Sequence, residues 1–151
     1  MTDNMRIIKI STGKEQYMDL LLLADEQESM VQRYLEKGEM YVLDDEGTKA
    51  VSIVANQGQG ILELKNLAVE PQAQRQGYGK AMISFLVDKY RGRYQILQVG
   101  TGDSPLTIPF YQNCGFQKSH RVKDFFLQYY DHPIIEAGVQ LRDMIYLQRK
   151  L

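Results

Sequence analysis

The segment Glu70-Pro-Gln-Ala-Gln-Arg-Gln-Gly-Tyr-Gly-Lys80 joins the apolar run Leu67-Ala-Val69 to a stretch with helical spacing, and it sets Gly77 and Gly79 one residue apart at the start of that helix. Without side chains at those positions, backbone amides can approach a ligand closely. A helix start also offers unpaired N–H groups at the positive end of its dipole. A phosphate or pyrophosphate is the natural guest, and Arg75 and Lys80 add positive charge beside it. On the glycines alone, a glycine-rich turn that merely begins a helix is an equal alternative.

Two common phosphate loops do not fit. A P-loop requires glycine where Gln74 stands and Ser or Thr where Ala81 stands. A dinucleotide fingerprint aligned on Gly77 and Gly79 requires a third glycine or alanine where Met82 stands. A second polar anomaly lies upstream: Glu63 interrupts the apolar strand Ile61–Val69. Strand alternation puts Glu63 and Lys65 on one face, with Leu62 and Leu64 on the other.

The elements that must position these residues follow from periodicity. Met5–Ile10 reads as a strand, followed by a helix capped by Ser11 or Thr12 that carries Tyr17, Leu20, Leu21 and Ala24 at helical spacing. A second helix spans about Glu28 to Lys37, with Gly38 as its stop. The period then changes. Met40–Leu43, Lys49–Ala55 and Ile61–Val69 form an antiparallel meander through the turns Asp44–Gly47 and Gln57–Gly60. A helix over Gly77–Tyr90 precedes the strand Gln95–Val99, a short helix over Leu106–Asn113, and strands over Phe116–Val122 and Asp143–Gln148. Lys123–Leu141 is aromatic-rich and reads as irregular. Runs of strands with helices inserted make the chain α+β, or mixed α/β.

Composition bounds the rest. The 151 residues make one domain, 1–151, with no internal repeat or linker, and 44% hydrophobic with 25% charged residues is the usage of a globular chain. With 18 Lys plus Arg against 19 Asp plus Glu, the net charge is −1, which argues against a general nucleic-acid binder but leaves room for a local anion site. The single cysteine, Cys114, forms no internal disulfide and no zinc-ligand spacing; His120 and His132 are too far apart to read as a metal pair, so no metal is expected. The longest apolar stretch, Leu20–Ala24, is too short to cross a bilayer, and a cytoplasmic location is the expectation.

Gln74-x-x-Gly77-x-Gly79 after a strand ending Leu67-Ala-Val69, with Phe110-Tyr-Gln-Asn-Cys-Gly-Phe116 downstream, resembles the GNAT superfamily of acyl-CoA-dependent N-acetyltransferases. Its signature is (Gln/Arg)-x-x-Gly-x-(Gly/Ala) followed by Tyr-x-x-x-Gly-Phe. The tail, with Asp124-Phe-Phe, Tyr130-Asp-His-Pro and Arg142-Asp-Met, looks like an uncharacterised bacterial branch.

The resemblance implies a central, mostly antiparallel sheet with splayed middle strands and helices on both faces. It implies that acetyl-CoA is the co-substrate, its pyrophosphate cradled by the amides of Gln74, Arg75, Gln76, Gly77, Tyr78 and Gly79 with Lys80 nearby. Pantetheine would lie along Leu67, Ala68 and Val69 like an added strand. An amide near Leu67 would polarise the thioester carbonyl. Tyr111 aligns with the tyrosine that commonly protonates the leaving thiolate; a phenol begins near pKa ~10 and can donate at neutral pH. A packing role for this tyrosine is the alternative. Glu63 stands where several members place a general base, against the alternative of a solvated Glu/Lys edge. Ser104 stands where the family often has asparagine, which leaves its coenzyme contact in question.

The expected reaction is acetyl transfer to a primary amine of a small molecule or a protein. A coenzyme A-binding regulatory module without turnover and an acyltransferase with a longer acyl donor are the alternatives. Neither nucleic acid nor membrane is an expected partner; homodimers are common in the superfamily, and nothing in these residues selects one. Cys114 reads as a small buried residue rather than a nucleophile. Asp25 and Glu26 stand where the family's acceptor loop lies, though acidic caps on solvent are the commoner explanation. The aromatics Phe125, Phe126, Tyr129 and Tyr130 read as the core of an insertion with one edge lining the pocket.

Overall fold

In the computed structural model, residues 4–151 are described. Nine strands and five α-helices follow in the order β1 (Arg6–Ile10), α1 (Met18–Leu21), α2 (Glu28–Gln32), β2 (Glu39–Asp44), β3 (Thr48–Gly58), β4 (Ile61–Val69), α3 (Tyr78–Tyr90), β5 (Ile96–Gly102), α4 (Ile108–Asn113), β6 (Gln117–Val122), α5 (Phe125–Tyr129), β7 (Ile135–Glu136), β8 (Val139–Gln140) and β9 (Met144–Lys150). Seven of the strands form one sheet in the order β1-β2-β3-β4-β5-β9-β6, and β7 and β8 make a separate hairpin. Every neighbouring pair is antiparallel except β4 and β5. The meander, the long helix and the late strands thus lie where periodicity put them.

The middle of the sheet is splayed. β4 and β5 pair only over Ile61–Leu64 against Ile96–Val99; beyond that, β4 stays with β3 to Val69 while β5 stays with β9 to Gly102. A bulge starts the divergence. The β3–β4 register steps from Ile53↔Asn66 to Val54↔Leu64, so Lys65 is an extra residue in β4. An extra residue bends its strand and reverses the side-chain alternation beyond it. Before the bulge Leu62 and Leu64 face α3; after it Leu67 and Val69 take that side, and Ala68 turns to the opposite core.

Two cores sandwich the sheet. On one face α3 offers Met82, Ile83, Leu86, Val87 and Tyr90, the i, i+1, i+4 stripe of an amphipathic helix, against Leu62, Leu97, Val99 and Leu147. On the other face Leu20, Leu21, Val31 and Leu35 pack over Met40, Val42, Val51 and Ile53. A third, small cluster of Phe126, Ile134 and Leu141 lies in the insertion, which carries α5 and the β7–β8 hairpin where the sequence reads as irregular.

The first two helices are shorter than expected. Gly13, in a left-handed conformation at φ +68°, begins a 3-10 turn over Lys14–Tyr17, and neither Ser11 nor Thr12 caps it. The second helix stops at Gln32 and runs on to Gly38 as turns. Both departures surround one side chain. Lys14 is 7% exposed, and its Nζ donates to the carbonyl oxygens of Leu35, Glu36 and Gly38 at 3.0, 3.0 and 2.7 Å. Those carbonyls are the orphan acceptors of a helix end, and a lysine from another element satisfies them in place of further helical turns.

Candidate active site

The loop after β4 leaves its amides free. Arg75 and Gly77 both have left-handed backbones, at φ +65° and +89°. The first helical bond of α3 runs from the Ala81 amide to the Gly77 carbonyl, and among the described residues none of the amides from Arg75 to Lys80 has an acceptor within the chain. Six consecutive donors at a helix start form a concavity suited to an anion. The Gln74 side chain donates to the Val69 carbonyl at 3.2 Å, tying this loop to the end of β4.

The two glycines serve different ends. Gly77 supplies the positive φ. Gly79 has an ordinary φ, but a Cβ there would lie 3.1 Å from the Phe110 ring, so its absence lets α3 and α4 close together. The Tyr78 side chain points away from the loop and donates from its hydroxyl to Asp45 at 2.7 Å, which leaves only its amide for a ligand. Gly77→Ala is expected to cost about 1 kcal/mol from the left-handed backbone alone and to weaken coenzyme A binding further by displacing the amides, both readable by thermal melts and calorimetry.

The divergence of β4 from β5 opens a cleft of about 380 Å³. Leu67, Ala68 and Val69 line it from β4 and Gly100 to Gly102 from β5, and Gln74 and Tyr111 are also in its lining. Beyond Leu64 the β5-facing edge of β4 has no strand partner among the described residues, as strand-like docking of a ligand requires. Lys80 lies elsewhere: with Cys114, Lys118 and Arg149 it lines a separate open groove of about 830 Å³.

Tyr111 is 8% exposed, held edge-on by Phe110 and Phe116 at 5.1 and 5.6 Å between ring centroids. Its hydroxyl has no hydrogen-bond partner among the described residues. Burial raises its pKa far above the ordinary phenol range, and the neighbouring Cys114 and Glu136 push it the same way. The cleft therefore contains a protonated phenol with its donor unused.

Glu63 is placed differently. Its side chain is 8% exposed, Oε2 accepts from Lys65 Nζ at 2.8 Å, and Oε1 accepts from Gln98 Nε2 at 2.7 Å. Gln98 in turn accepts from Gln148, so a polar ladder crosses β4, β5 and β9 on the face away from α3. Both carboxylate oxygens are thus engaged, and Lys65 lines the cleft while Glu63 does not. Ser104 is also outside the lining: 2% exposed, its Oγ accepts the Leu106 amide at 3.1 Å and shapes the turn before α4. Burial raises the Cys114 thiol against the lowering effect of Lys80 and Arg149. Among the described residues no group of His, Cys, Asp or Glu is arranged to hold a metal ion, and no helix is long and apolar enough to cross a membrane.

Asp25 is not a solvent-facing cap. It lines the cleft and accepts hydrogen bonds from the hydroxyls of Tyr34 and Tyr130. The insertion is strapped over this end of the cleft: the Asp131 amide donates to Gln27, His132 pairs with Glu26 at 3.6 Å, and Arg33 lies 5.3 Å over the Tyr129 ring. Phe126, Tyr130, Ile134 and Leu141 therefore form both a small core and the roof of the cleft. Asn66 also lines the cleft, and only the polarity it shares with Glu63 within an apolar strand marks it in the sequence.

A family model described as an acetyltransferase (GNAT) domain matches residues 36–118. An uncharacterised N-acetyltransferase of Bacillus subtilis, YvbK, is 36% identical over 95% of this chain and 97% of its own. Two solved structures superpose closely. A GNAT family acetyltransferase from Elizabethkingia anophelis with acetyl-CoA bound has a TM-score of 0.93 and 32% identity, over 99% of this chain and all of that one. A Bacillus subtilis acetyltransferase in complex with CoA has a TM-score of 0.89 and 33% identity, over 97% of this chain and 99% of that one.

Proposed function

The chain belongs to the GNAT acetyltransferase family, and from that membership we propose that it moves acetyl from acetyl-CoA directly to a primary amine held in the β4–β5 cleft, with Tyr111 as general acid. The observation that carries this reading is that one cleft joins Gln74, at the head of the free-amide loop, to the unpartnered phenol of Tyr111. The bound forms of the two solved relatives support acetyl-CoA as the donor.

In this reading the amides of Arg75 to Lys80 hold the diphosphate, and the free edge at Leu67–Val69 aligns the pantetheine and its thioester. Holding donor and acceptor in one cleft makes the attack effectively intramolecular, which supplies much of the acceleration. The neutral amine nitrogen attacks the thioester carbonyl carbon, and a C–N bond forms. As the C–S bond breaks, Tyr111 gives its proton to the departing sulfur, and the tyrosinate recovers one from the acylated nitrogen. Glu63 enters by fixing the Lys65 ammonium at the cleft wall.

Calorimetric titration with coenzyme A, followed by a thiol-release screen of acetyl-CoA against primary amines, tests the reading. Saturable heat and amine-dependent thiol release are expected. Absence of heat overturns the donor assignment, and heat without release against any amine overturns the transfer reaction.

A further inference from the structure

Under the insertion's roof the fold holds a carboxylate by both of its oxygens. Asp25 Oδ2 accepts from the Tyr34 hydroxyl at 2.9 Å, and Oδ1 accepts from the Tyr130 hydroxyl at 2.7 Å. Those tyrosines come from the turns after α2 and from the insertion, far apart in sequence. Tyr34 oxygen accepts in turn from Asn66 Nδ2 at 3.0 Å, and the same nitrogen donates to the Leu21 carbonyl at 3.0 Å. Every donor in this network is therefore spent.

What remains is acceptor capacity. Asn66 is 4% exposed and lines the cleft, yet its Oδ1 has no hydrogen-bond partner among the described residues. A buried acceptor without a donor costs about 1–3 kcal/mol, and the fold keeps this one on a cleft-lining residue that is linked to Asp25 through the Tyr34 hydroxyl. Charge points the same way. Glu26 and Glu136 line this cleft along with Asp25, whereas its one lining cation, Lys65, is already paired with Glu63. An alkylammonium is all donor and no acceptor, and it carries the complementary charge.

We propose that Asp25 and Asn66 bind the acceptor's ammonium and that Asp25 takes its proton, so that the acceptor is a primary amine arriving charged, on an apolar body that fits under Phe126, Ile134 and Leu141. This rests on the acetyl-transfer reading above and assigns its missing base. One proton passes from the ammonium to the Asp25 carboxylate, leaving the neutral nitrogen that attacks the thioester. Asp25 returns that proton to water once product leaves. Burial raises the Asp25 pKa against the lowering effect of the two tyrosine hydroxyls, and a more basic carboxylate is a better proton acceptor. The charged and titratable groups around it are Tyr34, Tyr130 and Glu26, with His132 beyond Glu26, and Lys65, Glu136 and Tyr111 also line the cleft.

The test compares wild type with Asp25→Asn and Tyr130→Phe, using 2-phenylethylamine, 1,4-diaminobutane and lysine methyl ester as probes and coenzyme A calorimetry as the control. At least one probe should be turned over, and Asp25→Asn should lower its kcat/KM by about 100-fold or more while coenzyme A affinity stays unchanged. Wild-type kcat/KM should level off once Asp25 is ionised, whereas that of Asp25→Asn should climb about tenfold per pH unit toward the pKa of the amine, because only neutral amine then reacts. Tyr130→Phe should move the acid limb to higher pH, since it removes a hydrogen bond that favours the carboxylate. Thiol release with other primary amines but with none of these three probes overturns this inference alone. So does an Asp25→Asn enzyme within threefold of wild type with an unchanged pH profile. Loss of coenzyme A heat in wild type overturns the underlying transfer reading, and this inference with it.

Discussion

Tyr111→Phe should lower kcat by about 100- to 1,000-fold while leaving coenzyme A affinity within a factor of two, the signature of a lost proton donor. The substitution is unusually clean. The Tyr111 hydroxyl has no partner among the described residues, so removing it strands no buried group there, and the ring keeps its edge-on contacts with Phe110 and Phe116. Thermal stability should therefore be unchanged. A rate that survives the substitution would remove Tyr111 from the chemistry. An absence of turnover in wild type would instead favour a coenzyme-binding module. Because burial holds the phenol protonated beyond its ordinary range, no alkaline loss of rate below about pH 10 should belong to Tyr111.

Lys14→Met should cost about 3–5 kcal/mol, because three carbonyls lose their charged donor, two of them in buried contacts. For a chain of this size that is a fall of about 10 °C in Tm, measurable by calorimetry at neutral pH. Lys9→Met is the contrast. Lys9 pairs with Glu39 at 3.1 Å, but its side chain is half exposed, and such pairs contribute about 0–1 kcal/mol. Equal losses from the two variants would mean that Lys14 does not hold the helix end. The effect should reach the active site, since the Asp25 loop is suspended between the two helices that Lys14 joins.

The sequence was most legible where a backbone requirement leaves a residue-type signature. Gly77 needs a positive φ, and the alternation and turns of the meander set β2, β3 and β4 within a few residues. It was least legible where side chains from distant elements replace local structure. Lys14 shortens two helices without a local cue, and Ser104 has the type to hold a ligand but spends its hydroxyl on the Leu106 amide. Lys123–Leu141 reads as irregular because α5 and its hairpin are short, and the segment is held by its own small core and by Tyr130, Asp131 and His132 on the Asp25 loop rather than by periodicity.

Tyr111 was marked only by the family resemblance, whereas the sequence by itself determined the meander, the long helix and the glycine-rich loop. Each is a local matter of φ, period and residue type. Only the tertiary structure decided which carboxylate meets the cleft. One extra residue at Lys65 splays β4 from β5, Glu63 is locked into a cross-strand ladder, and the insertion brings Tyr130 onto Asp25, 105 residues away along the chain. Such pairings depend on closing long loops over a finished sheet, and the residues that meet there carry no trace of one another in the chain between them.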